Sequence, residues 1–219
     1  MAYIPILFNT EMVQAIMDGR KTQTRRLMKL KYKENEAGFQ ILTNKHDGKF
    51  AYAEYYDEDE NPTRLITPPC MPGSILWVRE TWDNIPVSPG GHFRFGGMYY
   101  YRADGDIRPE GWQGNWHPSI HMPKEAARIF LRVKDVRVER LKDISVDDCK
   151  REGIWDDYKT TSEAYHDALV NAAYPKCFAG LWDSTIKPAD RDKYGWNANP
   201  WVWVIEFEKC ERPEGWCTE

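Results

Sequence analysis

Residues 126–141 constrain the fold more than any other stretch. Ile129, Leu131 and Val133 line one face of an extended chain, and then the apolar parity slips by one residue to Val136 and Val138. Strand side chains alternate with a period of two, so such a slip marks an extra residue that bends the strand. A bulge near Lys134 and Asp135 is the expected reading, and a strand bent there suits a small barrel.

The remaining elements fit around that strand. Residues 3–8 read as a short strand held near an edge by Pro5. Asn9 or Thr10 caps a helix whose Met12, Val13, Ile16 and Met17 recur at helical spacing, and Gly19 supplies its left-handed end. Residues 72–74 turn into a strand over 75–79, and 98–102 form an aromatic strand. Ser145, with Asp148 three residues on, opens a short helix ending at Glu152 and Gly153. A second helix is expected over 162–173, with Thr160 and Glu163 as its cap and Pro175 as its stop. Phe178, Leu181 and Trp182 make a further apolar turn or short helix. Residues 201–207 are apolar on both faces at first, which predicts a buried central strand. Polar insertions at 29–69, 84–124 and 155–199 separate these pieces. The first holds one hairpin, 39–42 with 50–56, mostly at the surface. The reading is one α+β domain over 1–219, a small bent β-barrel with short helices at its mouth.

Composition narrows the function. At 219 residues the chain can bury a sizeable core, yet 10 Trp and 12 Tyr exceed what a core usually needs, so some rings are free to line a groove. The net charge of −4 argues against an indiscriminate polyanion binder. The charge is uneven, however: residues 20–33 hold seven basic side chains and no acidic one, while 54–60 hold five acidic ones and no basic one. Five scattered cysteines without a C-x-x-C pair predict neither a disulfide framework nor a zinc site. The five histidines form no ligand pair, so no metal and no cofactor is expected. No stretch has the length or apolarity to span a bilayer and no leader is evident, which predicts a cytoplasmic protein with no membrane partner.

Asp18-Gly-Arg-Lys-Thr-Gln-Thr-Arg-Arg26 carries the chemistry. Lys21 beside Thr22 and Thr24 is the smallest set for an activated hydroxyl, because an alcohol needs a neighbouring base. Arg20, Arg25 and Arg26 suit an anionic or planar partner. A phosphate loop is excluded by the missing upstream glycines and the helix-then-strand order. In a regular strand Lys21 and Thr24 face opposite sides, so they converge only if Lys21 belongs to the turn. The plain alternative is a solvated basic turn.

Four pieces in order, Gly19-Arg-Lys-Thr-Gln-Thr-Arg-Arg26, Pro72-Gly-Ser-Ile-Leu-Trp-Val78, the 129–141 strand with its helix to Arg151-Glu-Gly153, and Trp201-Val-Trp-Val-Ile-Glu-Phe207, resemble the ASCH family. That family has a PUA-like β-barrel fold, and the resemblance is to its larger bacteriophage and prophage form. The resemblance implies binding of RNA or modified bases, and in one subgroup an amidohydrolase that removes the acetyl group of N4-acetylcytidine. The subgroup's Lys, Thr and Glu fall on Lys21, Thr24 and Glu152. Arg20, Arg25 and Arg26, with Trp77, Glu80 and Trp82, are the substrate-binding candidates.

Two other readings stand beside the enzyme. In a non-catalytic reader of a nucleoside or of single-stranded or structured RNA, residues 20–33 and 124–142 hold phosphates while Trp77, Trp82, Tyr99, Tyr101 or Trp116 stack on bases. In a protein–protein module the insertions meet a partner, Thr24 only supports the sheet, and Arg26 pairs with Glu80 or Glu152. Trp77, Trp201 and Trp203 fit core positions, and Cys149 a packed thiol.

Overall fold

The computed structural model describes residues 2–43, 51–85, 98–154 and 163–216. In chain order these form β1 (Tyr3–Leu7), α1 (Thr10–Met17), β2 (Gln23–Leu27), β3 (Gly38–Thr43), β4 (Ala51–Tyr56), β5 (Pro62–Ile66), β6 (Ile75–Arg79), β7 (Trp82–Ile85), β8 (Met98–Tyr101), β9 (Phe130–Arg140), α2 (Val146–Arg151), α3 (Glu163–Thr185), α4 (Arg191–Tyr194) and β10 (Trp201–Cys210). The fold is α+β. A mixed five-stranded sheet runs in the order β1-β6-β9-β10-β2, with smaller sheets β3-β4-β5 and β7-β8. Strand β1 pairs parallel to β6, whereas β9 meets β6 antiparallel and β2 meets β10 antiparallel. Among the described residues no helix is long and apolar enough to cross a membrane.

The chain divides into two compact units, the first made of residues 1–19, 74–132 and 208–219 and the second of 20–73 and 133–207. The division falls inside β9, between Arg132 and Val133, just before the sequence parity slips. Leu131, Val133 and Val136 are buried, as the apolar pattern predicts.

In unit 1, β1 lies at the sheet edge and carries Pro5, where a missing N–H is tolerated. The Asn9 side chain accepts the Met12 N–H at 2.9 Å and so caps α1, and Gly19 leaves the helix at φ 75°. Val13 and Ile16 are buried, but Met17 is exposed. Ile75, Met122, Ala126, Ala127, Phe130 and Trp216 form the core, with Trp77, Trp82, Tyr99 and Tyr101 packed against it.

In unit 2, the insertion over 29–69 folds into three strands rather than one hairpin. Pro62 and Arg64 obscure the third strand, because neither is a strand-former. This sheet also has its own buried centre: Tyr55 is covered by the edge of Tyr32 and by the Arg64 guanidinium 4.2 Å from its ring centroid. Helix α3 runs straight through Pro175, the expected stop, to Thr185. A proline inside a helix costs about 3 kcal/mol, but each large apolar side chain fully buried returns about 1.5–3 kcal/mol. Tyr174, Phe178 and Trp182 recur every four residues and pack on Leu141, Ile144, Cys149, Val202 and Val204, so packing outweighs the break. Strand β10 is buried on both faces from Val202 to Ile205, as its composition predicts. The cap expected at Thr160, the loop over 86–97 and Cys217 lie outside the described residues.

Candidate active site

Strand β2 begins only at Gln23, so Lys21 belongs to the turn that follows α1. Two backbone bonds pin that turn: Thr22 N–H donates to the Arg151 carbonyl at 2.9 Å, and Phe207 N–H donates to the Thr22 carbonyl at 2.9 Å. Lys21 is thereby set against the end of α2. Its Nζ donates to the Glu152 Oε2 at 2.8 Å and to the Glu152 carbonyl at 2.8 Å.

The acid is placed by helix-end chemistry. Ser145 and Asp148 form a reciprocal capping box that opens α2, and Glu152 is its C-terminal cap residue, followed by Gly153 at φ 90°. A helix end presents unpaired carbonyls with partial negative charge, which a buried ammonium satisfies. Arg20 repeats the device one residue later, donating from Nη1 to the Gly153 carbonyl at 3.1 Å.

Arg25 reaches the same acid from β2. Its Nη1 donates to Glu152 Oε1 at 3.2 Å, and its Nη2 to Glu139 at 2.9 Å and Asp148 at 3.2 Å. The side chains of Lys21 and Arg25 are wholly buried. Around this centre Arg137 bonds Glu139 and Glu206 and stands 3.6 Å from Asp148. It is Arg25 that forms hydrogen bonds to Glu152; Arg26 feels the Glu152 charge and that of Cys70.

Burial lowers the Lys21 pKa below the ordinary lysine value of 10.5; the Glu152 charge and hydrogen bond oppose this, and the nearby Arg26 and Arg25 charges add to it. Burial also lowers Arg26. For Asp148 burial acts upward, but Arg25, the bonds with Ser145 and the neighbouring Gln23 amide outweigh it and hold the carboxyl below its ordinary range. Burial pushes the Cys149 thiol up to about 12, as suits a packed cysteine.

Thr24 is buried on β2 opposite Ile205. By strand alternation it faces away from Gln23 and Arg25. Trp77, Glu80 and Trp82 belong to unit 1. Trp77 packs edge-on against Trp216 with the Arg79 guanidinium over it, and Trp82 stacks at 5.0 Å on His117. Glu80 is buried and held by Arg128 through two bonds of 2.9 and 3.0 Å, while Arg128 also grips Asp104. Burial raises the Glu80 pKa, against the pull of Arg128.

Sequence reasoning missed Glu139, Gln23 and the second role of Asp148. Gln23 shares the face of Arg25 by simple alternation, so its position was legible. Glu139 sits past the parity slip on a strand whose pairing partner the sequence does not name, and Asp148 reads only as a cap. Among the described residues no group of three His, Cys, Asp or Glu side chains is placed to hold a metal ion. Chemically, the centre can accept a proton on a depressed amine and pass it 2.8 Å to a carboxylate. No family model, curated protein or solved structure matches the chain.

Proposed function

We propose that the chain is an ASCH-type protein with a PUA-like barrel, acting as an amidohydrolase that removes an acyl group from a modified base such as N4-acetylcytidine, in a nucleoside or RNA. One observation carries the reading: a wholly buried lysine amine with a lowered pKa lies 2.8 Å from the carboxylate of Glu152, at two of the three positions the resemblance names. Buried lysines of this kind cluster at functional sites.

In this mechanism neutral Lys21 takes the Thr24 hydroxyl proton as the oxygen attacks the acyl carbonyl. The proton crosses the short contact to Glu152, which delivers it to the departing amine as the C–N bond breaks. Water then attacks the acyl-threonine, Lys21 takes the water proton, and the threonine oxygen leaves with it. Arg25 keeps Glu152 oriented, and Arg20 and Arg26 supply positive charge beside the centre.

A non-catalytic base or RNA reader is the second reading, favoured by Thr24 lying on the face of β2 opposite Arg25. Incubation with N4-acetylcytidine, followed by chromatography for cytidine, separates the two. Release of cytidine that disappears in Lys21→Ala supports the enzyme. Binding without release supports the reader, and the absence of both removes the base-directed role.

A further inference from the structure

Arg25 serves three carboxylates at once, and it does not divide its donors as a guanidinium facing one acid would. Its Nη1 bonds Glu152 Oε1 at 3.2 Å, while its Nη2 bonds Glu139 Oε2 at 2.9 Å and Asp148 Oδ2 at 3.2 Å. A guanidinium paired with one carboxylate favours the two-pronged grip, one nitrogen on each oxygen. Arg128 takes that grip on Glu80, through Nε and Nη2. Arg25 instead holds Glu152 by one oxygen, and the other, Oε2, accepts from Lys21 Nζ at 2.8 Å.

What keeps Nη2 from Glu152 is a pair of acids, Glu139 and Asp148, that also face Arg137. Glu139 accepts from Arg25 on Oε2 and from Arg137 Nε on Oε1 at 2.6 Å. Asp148 accepts from Arg25 on Oδ2, and Arg137 Nη2 stands 3.6 Å from its Oδ1. Arg137 and Glu139 are two residues apart on β9 and so share a face, and Arg137 is tied in turn to Glu206 on β10. The Arg25 side chain is wholly buried, whereas those of Arg137 and Glu139 are 26 % and 23 % exposed. Ion pairs that meet solvent contribute little to stability, but these fix where a buried cation points.

We propose that Glu139 is a positioning residue for the Lys21–Glu152 contact: by holding Arg25 Nη2 it stops that guanidinium from closing on both Glu152 oxygens, and so leaves Oε2 to the lysine. This rests on the reading of Lys21 and Glu152 as the working pair of the site. Without Glu139, Nη2 keeps Asp148 alone and can turn to Oε2, and Lys21 retains the Glu152 carbonyl but loses the carboxylate. The charges facing Lys21 are Glu152 at the end of α2 and Arg25 and Arg26 on β2. Those facing Arg25 are Glu152 and Asp148 from α2 and Glu139 from β9. Asp148 also closes the capping box of α2, so changing it disturbs the helix itself, whereas Glu139 can be changed alone. An amine that loses its carboxylate partner gives up its proton more easily, so the Lys21 titration should move to lower pH.

The test is an NMR titration of carbon-13-labelled lysine side chains in the full chain, with the Lys21 signal assigned by its absence in Lys21→Met. Glu139→Met and Glu139→Gln remove the same charge, but the glutamine keeps an oxygen for Arg25 Nη2 while Arg137 retains Glu206. Lys21 is expected to titrate at lower pH in Glu139→Met than in Glu139→Gln, with Glu139→Gln the closer of the two to the unmodified chain. Urea midpoints report that each variant is folded, and Glu139→Ala replaces the methionine variant if that one is not. Equal titrations in the two variants would make Glu139 a remote charge and no more, and an unmoved Lys21 in both would sever it from the site; either result overturns the assignment. The titration is read whether or not the chain acts on N4-acetylcytidine. A difference between the variants without any release of cytidine therefore upholds the positioning of Arg25 and removes the enzyme reading alone.

Discussion

Glu80 in unit 1 and Glu152 in unit 2 are both buried among cations, and the two are held differently. In unit 1, Glu80 meets one guanidinium face to face, and Arg128 divides its donors between Glu80 and Asp104 while resting 3.8 Å from the Tyr101 ring centroid. Among the described residues none of these groups leaves a buried polar atom unpaired. In unit 2, Glu152 meets two fully buried cations, one of them an amine with a lowered pKa, and unpaired atoms remain beside it. A closed fork is what stability asks for. A crowded centre with donors to spare costs stability and is what chemistry or recognition asks for.

The sharpest way to break the comparison is to remove each glutamate's partners in turn. Glu152→Ala takes away the carboxylate that Lys21 and Arg25 share, and is expected to cost about 3–5 kcal/mol in urea unfolding, the penalty for breaking a buried ion pair. It should also abolish cytidine release. Arg128→Leu is expected to cost less, about 2–3 kcal/mol, because Glu80 already has a raised pKa and can take up a proton, and Asp104 is better exposed. Cytidine release should survive that change in a refolded sample; its loss would join the two centres and spoil the contrast.

Lys21→Met comes next, with about 1–2 kcal/mol of stability lost, since Arg25 still satisfies Glu152, while turnover falls at least about a hundredfold. The same variant tests the amine's titration. Folding lowers the Lys21 pKa, so between that depressed value and 10.5 the unfolded chain carries a proton that the folded chain does not. Lys21 therefore adds stability as pH rises through that window. Wild type minus Lys21→Met, followed by urea midpoints at increasing alkaline pH, should slope upward; a flat difference would mean an unperturbed lysine.

The smallest effect comes from the caps. Asn9→Ala in unit 1 and Ser145→Ala in unit 2 should each cost about 1 kcal/mol. Only Ser145→Ala should also slow turnover, because Ser145 fixes the helix whose end carries Glu152.

Much of this arrangement was legible before any coordinates. The caps at Asn9 and Ser145, the Gly19 exit, strand β6, the parity slip in β9 and the doubly buried β10 all follow from spacing and turn chemistry acting over a few residues. What was not legible depends on partners far along the chain. Pro175 reads as a stop until Phe178 and Trp182 are seen against Val202 and Val204. Strand β5 reads as loop until β4 is beside it. The convergence of Lys21 on Glu152 came from likeness to a family, not from spacing, and the further approach of Glu139 to Arg25 needed the sheet order β9-β10-β2. Arg26 was expected to pair with a carboxylate such as Glu80 or Glu152; it feels the Glu152 charge, and Arg25, one place before it, also reaches that acid, through a hydrogen bond of 3.2 Å.

The lysine and its glutamate are separated by 131 residues. During synthesis Lys21 leaves the ribosome early and keeps its ammonium in water until the ninth strand and the short helix beyond it have emerged. A chain interrupted anywhere before residue 152 thus has an ordinary, fully protonated surface lysine at neutral pH. The lowering of the lysine pKa thus waits for completion of the fold.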